Sequence, residues 1–156
     1  MTTLDAIDRR LLAELQTDCD RPLAELAKAV GLSATPCWRR IQRLEQAGVI
    51  KGRVALLDPA KLNLPVVVFV RVKTARHSYA WLEDFAAKIQ QVPEVVEFYR
   101  MSGDVDYLLK VVVPDIAGYD QVYKQLVTLA EFADVSSSFA LETIKQTTAL
   151  PLGYAR

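Results

Sequence analysis

Along the first fifty residues apolar side chains recur three and four positions apart, the period of a helix with one buried face. Leu4, Ile7, Leu11, Leu12 and Leu15 form one such stripe, and Asp5 and Asp8 suit the electropositive start of that helix. Leu23, Leu26, Ala27 and Val30 form a second. Gly31 follows and can turn at positive φ without steric cost. Ser33 or Thr35 can cap a third helix, and Pro36 is tolerated in its first turn, where the ladder needs no N–H. Cys37, Ile41 and Leu44 give this third helix its buried stripe. Three short helices on one small core, the last two joined by a tight turn, make a helix-turn-helix unit.

The opposite face of the third helix carries the chemistry. At about 100° per residue, Thr35, Arg39, Gln42 and Gln46 point away from the core, with Trp38 and Arg43 on the flanks. Arginine, glutamine and threonine on a helix that three modest apolar residues hold in place fit a DNA major groove. Local charge agrees: from Ala34 to Arg53 there are five basic residues and one acidic, whereas the whole chain sums to zero. A neutral protein with one basic strip binds through that surface. Thr35, Trp38, Arg39 and Gln42 are expected to face base edges, and Ser33 belongs with them in the expected DNA-binding set. Arg40, Arg43, Lys51 and Arg53 are expected on phosphates. Double-stranded DNA is therefore the first expected partner.

After Gly48 the pattern changes. Val49 to Leu57 is β-branched and reads as a hinge strand or wing, ended by Asp58-Pro59. Val66 to Val72 is apolar on both faces over most of its length, so both faces of its sheet are expected to be covered. Tyr79 to Gln91 has a helical stripe including Trp81, Leu82, Phe85 and Ile89. Val95–Met101 and Asp106–Val113 are strands joined by the Ser102–Asp106 hairpin. Ile116–Leu129 is a helix, and Val135–Ile144 a last strand. The order β-α-β-β-α-β is the ferredoxin-like arrangement. The fold class expected is α+β: a winged helix-turn-helix unit over 1–52, hinge and linker over 53–64, and a ferredoxin-like domain over 65–156. Two helices cover only one face of a four-stranded sheet, so the other face predicts a homodimer.

Composition narrows the alternatives. The chain has 156 residues, 51% hydrophobic and 24% charged, which is globular and not disordered. Its longest apolar run is too short to span a bilayer, and the N-terminus lacks the apolar core of a secretory signal. Cys19 and Cys37 with the single His77 make no metal-binding spacing, so no metal and no cofactor is expected. Cys37, close to a helix N-terminus and to Arg39 and Arg40, is either a small buried hydrophobe or an activated thiol. His77 reads as a loop or cap residue. No catalytic constellation is legible, so the chain is not expected to be an enzyme. A cytoplasmic location follows.

The stretches LDAIDRRLLAELQTD, LAKAVGLSATPCWRRIQRLEQAGVIKG and SGDVDYLLKV, in this order across nearly the whole chain, resemble the Lrp/AsnC family of transcription regulators. TPCW together with SSFALETIKQTTALPL is more similar to a branch that answers cysteine. The resemblance implies dimers paired through the second domain, often assembled to tetramers or octamers. It also implies a small amino-acid effector, bound between neighbouring second domains close to the GDVDY turn. By that resemblance Met101, Ser102, Gly103, Asp104, Asp106 and Tyr107, with Ser136, Ser137 and Ser138 of the last strand, are the effector-binding set. Asp104 is expected to take the ammonium. The residues alone leave a plainer alternative open, in which Gly103-Asp104 merely makes the turn. The functional alternative is an architectural DNA-binding protein with no effector.

Overall fold

A computed structural model describes residues 3–74 and 78–155, which form two compact units. His77 lies outside the described residues.

The first unit holds α1 (Ala6–Thr17), α2 (Leu23–Val30) and α3 (Ala34–Gln46). Leu11, Leu26, Ala27, Val30, Cys37, Ile41 and Leu44 form its core, as the periodicity requires. Asp5 caps α1 by accepting the Asp8 N–H at 2.8 Å, while the Asp8 carboxylate accepts the Asp5 N–H at 3.1 Å. These reciprocal bonds satisfy two otherwise orphaned donors. Gly31 ends α2 at φ +75°, a left-handed cap that a side chain would strain. Ser33 occupies the cap position of α3, but its side chain makes no capping bond.

Between α3 and a 3₁₀ turn at Pro59–Leu62 the chain forms no strand. The strand or wing expected over 49–57 is therefore absent within the described residues of one chain. Its backbone finds no neighbouring strand, and an isolated strand has no ladder to stabilise it. Val54, Leu56 and Leu57 are left exposed.

The second unit runs from Leu57 to Ile144. It contains β1 (Val66–Thr74), α4 (Tyr79–Ile89), β2 (Val95–Arg100), β3 (Tyr107–Val113), α5 (Ile116–Leu129) and β4 (Phe132–Phe139). The sheet order is β2-β3-β1-β4, antiparallel throughout, as expected for the ferredoxin-like arrangement. Ser78 caps α4 by accepting the Trp81 N–H, and Asp115 caps α5 by accepting the Gly118 N–H. Phe85 sits at the centre of the core, stacked on Trp81 at 5.0 Å and edge-on to Phe98 and Phe132.

Two expectations about this unit are corrected. Burial on β1 alternates: Val68, Val70, Val72 and Thr74 face the helices, while Phe69, Arg71 and Lys73 lie exposed on the other face. That open face is mixed, with Lys110 bonded to Glu97 at 2.9 Å beside apolar positions. Lys110 first, then the Tyr99 hydroxyl, hold the Glu97 carboxyl below its usual range. The last strand occupies 132–139 and not 135–144. It pairs with β1, whose register ends at Val68↔Phe139, and Pro65 just before β1 has no N–H to extend the ladder.

By contacts, residues 145–155 group with the first unit, where Leu152 packs against the helical core.

The α1 cap gives a pH signature. Its backbone bond from Asp8, then the Arg40 guanidinium, lower the Asp5 carboxyl from 3.8 to about 2. A depressed acid contributes stability that is complete above its unfolded value and is lost as pH falls through the folded one. Thermal melts of the wild type should therefore decline from about pH 4 to pH 2. Asp5→Asn, which keeps a neutral capping acceptor, should flatten that decline.

Candidate nucleic-acid interface and ligand cleft

The recognition helix α3 is fixed by charge as well as by packing. Asp8 on α1 is fully buried. Its carboxylate accepts from Arg40 Nη1 at 2.8 Å and from Arg43 Nη2 at 2.5 Å, in addition to the Asp5 N–H. Arg40 also reaches Asp5 at 2.6 Å. A buried carboxylate left unpaired is costly, and here three donors satisfy it. The same bonds raise the Arg40 guanidinium above its usual value.

This changes the expected roles. Arg40 and Arg43, read from the sequence as phosphate contacts, each spend part of their guanidinium on Asp8, although Arg43 stays exposed and Arg40 partly so. Arg53 pairs with Glu45 at 2.8 Å, and Gln42 donates to the same carboxylate at 3.0 Å. Arg39 and Thr35 are exposed, with no side-chain bond among the described residues, and Trp38 is 51% exposed. Ser33 and Lys51 are exposed as well. Thr35, Trp38 and Arg39 are thus exposed on α3, and Lys51 is exposed beyond its end. Asp8 is the residue the sequence reading missed. It was legible only as a helix-start acid, because its partners lie more than thirty positions away.

Cys37 is fully buried in the helical core, and burial pushes its thiol up. Of its two readings, the small hydrophobe stands.

In the second unit, Ser78, Tyr79 and Leu82 at the start of α4, Arg100 at the end of β2 with Met101 after it, and Asp106 and Tyr107 at the start of β3 line a cleft of about 150 Å³. That is smaller than drug-sized pockets, which run to roughly 300–1,000 Å³. Asp106 builds its wall: its carboxylate accepts the Thr74 N–H at 2.8 Å, its N–H donates to Val72 O, and its carbonyl accepts the Met101 N–H. The hairpin before it turns at Gly103, φ +105°, a conformation that favours glycine.

Of the expected effector set, Met101, Asp106 and Tyr107 come together here. Ser102, Gly103 and Asp104 are exposed on the turn and do not line the cleft. The three serines do not act as one group. Ser137 faces the helices and shares a short hydrogen bond with the Tyr119 hydroxyl, while Ser136 and Ser138 alternate to the other face. Arg100 was missed, although a cation directly before the Met101–Tyr107 stretch was a readable signal for a carboxylate ligand.

The Asp8 clamp generates a direct test. Asp8→Asn keeps the side-chain shape and removes the charge that holds two guanidinium groups. It should cost about 2–3 kcal/mol of stability, below a fully buried pair because both arginines stay partly solvated. Operator binding by anisotropy should weaken in step, although Asp8 is buried and presents nothing to DNA.

The comparisons with known proteins fit this geometry. Residues 4–45 match the AsnC-type helix-turn-helix domain, and residues 67–150 match the Lrp/AsnC ligand binding domain. The DNA-binding transcriptional activator DecR of Escherichia coli K12 is 51% identical over 150 residues, covering 96% of this chain and 99% of that protein. A crystal structure of an AsnC family transcriptional regulator from Agrobacterium tumefaciens superposes with a TM-score of 0.94 at 60% identity, covering 97% of this chain and 99% of that one. A Neisseria meningitidis transcriptional regulator solved as an L-Met complex superposes with a TM-score of 0.92 at 38% identity, covering 97% and 99% of the two chains. With a reading helix in one unit and a small cleft in the other, this chain belongs to the Lrp/AsnC family of DNA-binding transcriptional regulators.

Proposed function

We propose that this regulator changes its DNA binding when a small amino acid, cysteine before others, enters the cleft at the start of β3. The observation that carries the reading is that Arg100 and Asp106 both line one small cleft. A zwitterion leaving water needs both ends matched: a guanidinium for its carboxylate and a carboxylate for its ammonium. Met101 and Leu82 offer a small apolar contact for a short side chain in a cleft lined mostly by polar atoms. The L-Met complex of the Neisseria relative supports a sulfur-containing ligand. The ammonium role expected of Asp104 passes in this reading to Asp106.

The mixed open face of the sheet, with Val67, Phe69, Tyr99, Leu108 and Val112 among its charges, supports an isologous homodimer as the minimum unit. Two recognition helices then read a pseudo-palindromic site. Tetramers or octamers rest on the family resemblance, as does binding between neighbouring dimers. Among the described residues no helix is long and apolar enough to cross a membrane, which accords with a cytoplasmic regulator.

On DNA, Arg39→Ala should cost about 1–3 kcal/mol on the specific site and relax sequence preference. Lys51→Ala should weaken all duplexes alike and lower the salt slope by about one unit. Intact operator affinity in Arg39→Ala would refute the assigned orientation of α3. For the ligand, calorimetry with L-cysteine and L-methionine should give heat with the wild type. Arg100→Ala should weaken that binding by about 2 kcal/mol or more. Loss in Asp104→Ala with Arg100→Ala unaffected would return the site to the hairpin tip. No heat with any amino acid would favour the effector-free architectural protein.

A further inference from the structure

Residues 145–155 group by contacts with the first unit, and within them Leu150, Leu152 and Ala155 lie against α1. The Gln16 carboxamide holds the main chain of Leu150 from both sides: the Leu150 N–H donates to Oε1 at 2.7 Å, and Nε2 donates to the Leu150 carbonyl at 3.2 Å. That two-way exchange is the bonding one strand residue gives another, and it needs a side chain with both a donor and an acceptor. Seven residues back on α1, two turns along the same face, Arg9 Nη1 reaches the carbonyls of Leu4 at 2.9 Å and Ala155 at 3.5 Å. A 3₁₀ turn at Leu152–Tyr154 packs on α1 as well, with Leu152 partly buried against the helical core.

We infer that this segment is a fourth structural element of the DNA-reading unit, and that Gln16 and Leu152 are positioning residues for the recognition helix. The helix α1 has 12 residues, a length that is marginal alone and takes its orientation from what grips it. It is gripped from two directions about a quarter turn apart, by Arg40 and Arg43 through Asp8 and by the returning segment through Arg9, Gln16 and the Leu152 contact. Because α3 is anchored to α1 by Asp8, a slip of α1 moves the reading face. Base-edge contacts tolerate such a slip poorly, whereas phosphate contacts, which carry no sequence information, tolerate it well. The signature of a positioning role is therefore lost discrimination, not lost affinity in general.

The test uses the full chain and an operator selected by the wild type from a random-sequence pool, with a scrambled duplex beside it. Gln16→Ala, a substitution favourable to a helix, and Leu152→Ala should each lower operator affinity by about fivefold, the scale of one or two lost hydrogen bonds. Affinity for the scrambled duplex and the salt slope should stay unchanged. Amide exchange in α1 should accelerate in both variants. Gln16→Glu, which keeps the acceptor for Leu150 N–H and loses the donor, should fall between wild type and Gln16→Ala. Lys124→Ala, exposed on α5, should match the wild type throughout. An unchanged operator-to-scrambled ratio in both variants overturns the inference. So does an equal loss on the two duplexes, since that marks simple destabilisation.

Discussion

A carboxylate with no access to water must be paired inside the protein, and in this chain that requirement fixes the reading helix. Asp8 is fully buried and takes donors from its own helix cap and from two arginines of α3. Three modest apolar residues, Cys37, Ile41 and Leu44, hold α3 against the core. Packing by such residues resists separation better than it resists sliding or rotation, because the hydrophobic effect has no direction. The ion pairs supply the direction. They also pair part of the charge of Arg40 and Arg43 with a buried carboxylate, so the charge counted along the sequence overstates the unpaired charge of this strip.

The ligand-binding unit solves a different problem with the same economy of parts. Its sheet turns one face to α4 and α5 and fills the space with Phe85 and the valines of β1. The other face keeps apolar and charged positions side by side, a composition suited to a second subunit more than to open water. The cleft arises where α4 begins and the β2–β3 hairpin closes. Asp106 ties that corner to the end of β1, so the cleft wall and the sheet are one hydrogen-bonded structure.

What the sequence made legible was whatever depends on local period. The stripes on α1, α2 and α3, the ferredoxin-like strand order and the outward face of Arg39 and Thr35 all follow from spacings of two or of three to four residues. What it hid depends on partners distant along the chain. Asp8 reads as a helix-start acid until α3 is laid against it. Val49–Leu57 has strand composition, yet a strand is a relation between two segments and among the described residues no second segment pairs with it. The end of β4 is set by where β1 begins, a limit written at Pro65 and not near Phe139. Gln16 carries no sequence signal at all, because a carboxamide on a helix surface is the commonest of neutral choices. The serine run misled for a related reason: three identical neighbours in a strand point to alternate faces and so cannot form one site.

The chain crosses between its two units twice, once near Leu56 and again near Ile144. A recombination event with a single joint, the simplest way for a gene to acquire a new sensor, would therefore part the reading head from its own closing segment. Exchange of ligand-binding units within this architecture requires two joints, with the inserted piece replacing 57–144 and leaving both flanks in place. In chain order the sensor is flanked on both sides by residues that group by contacts with the DNA-binding unit. Divergence of ligand preference is then expected mainly by substitution around the cleft, with the reading unit inherited whole.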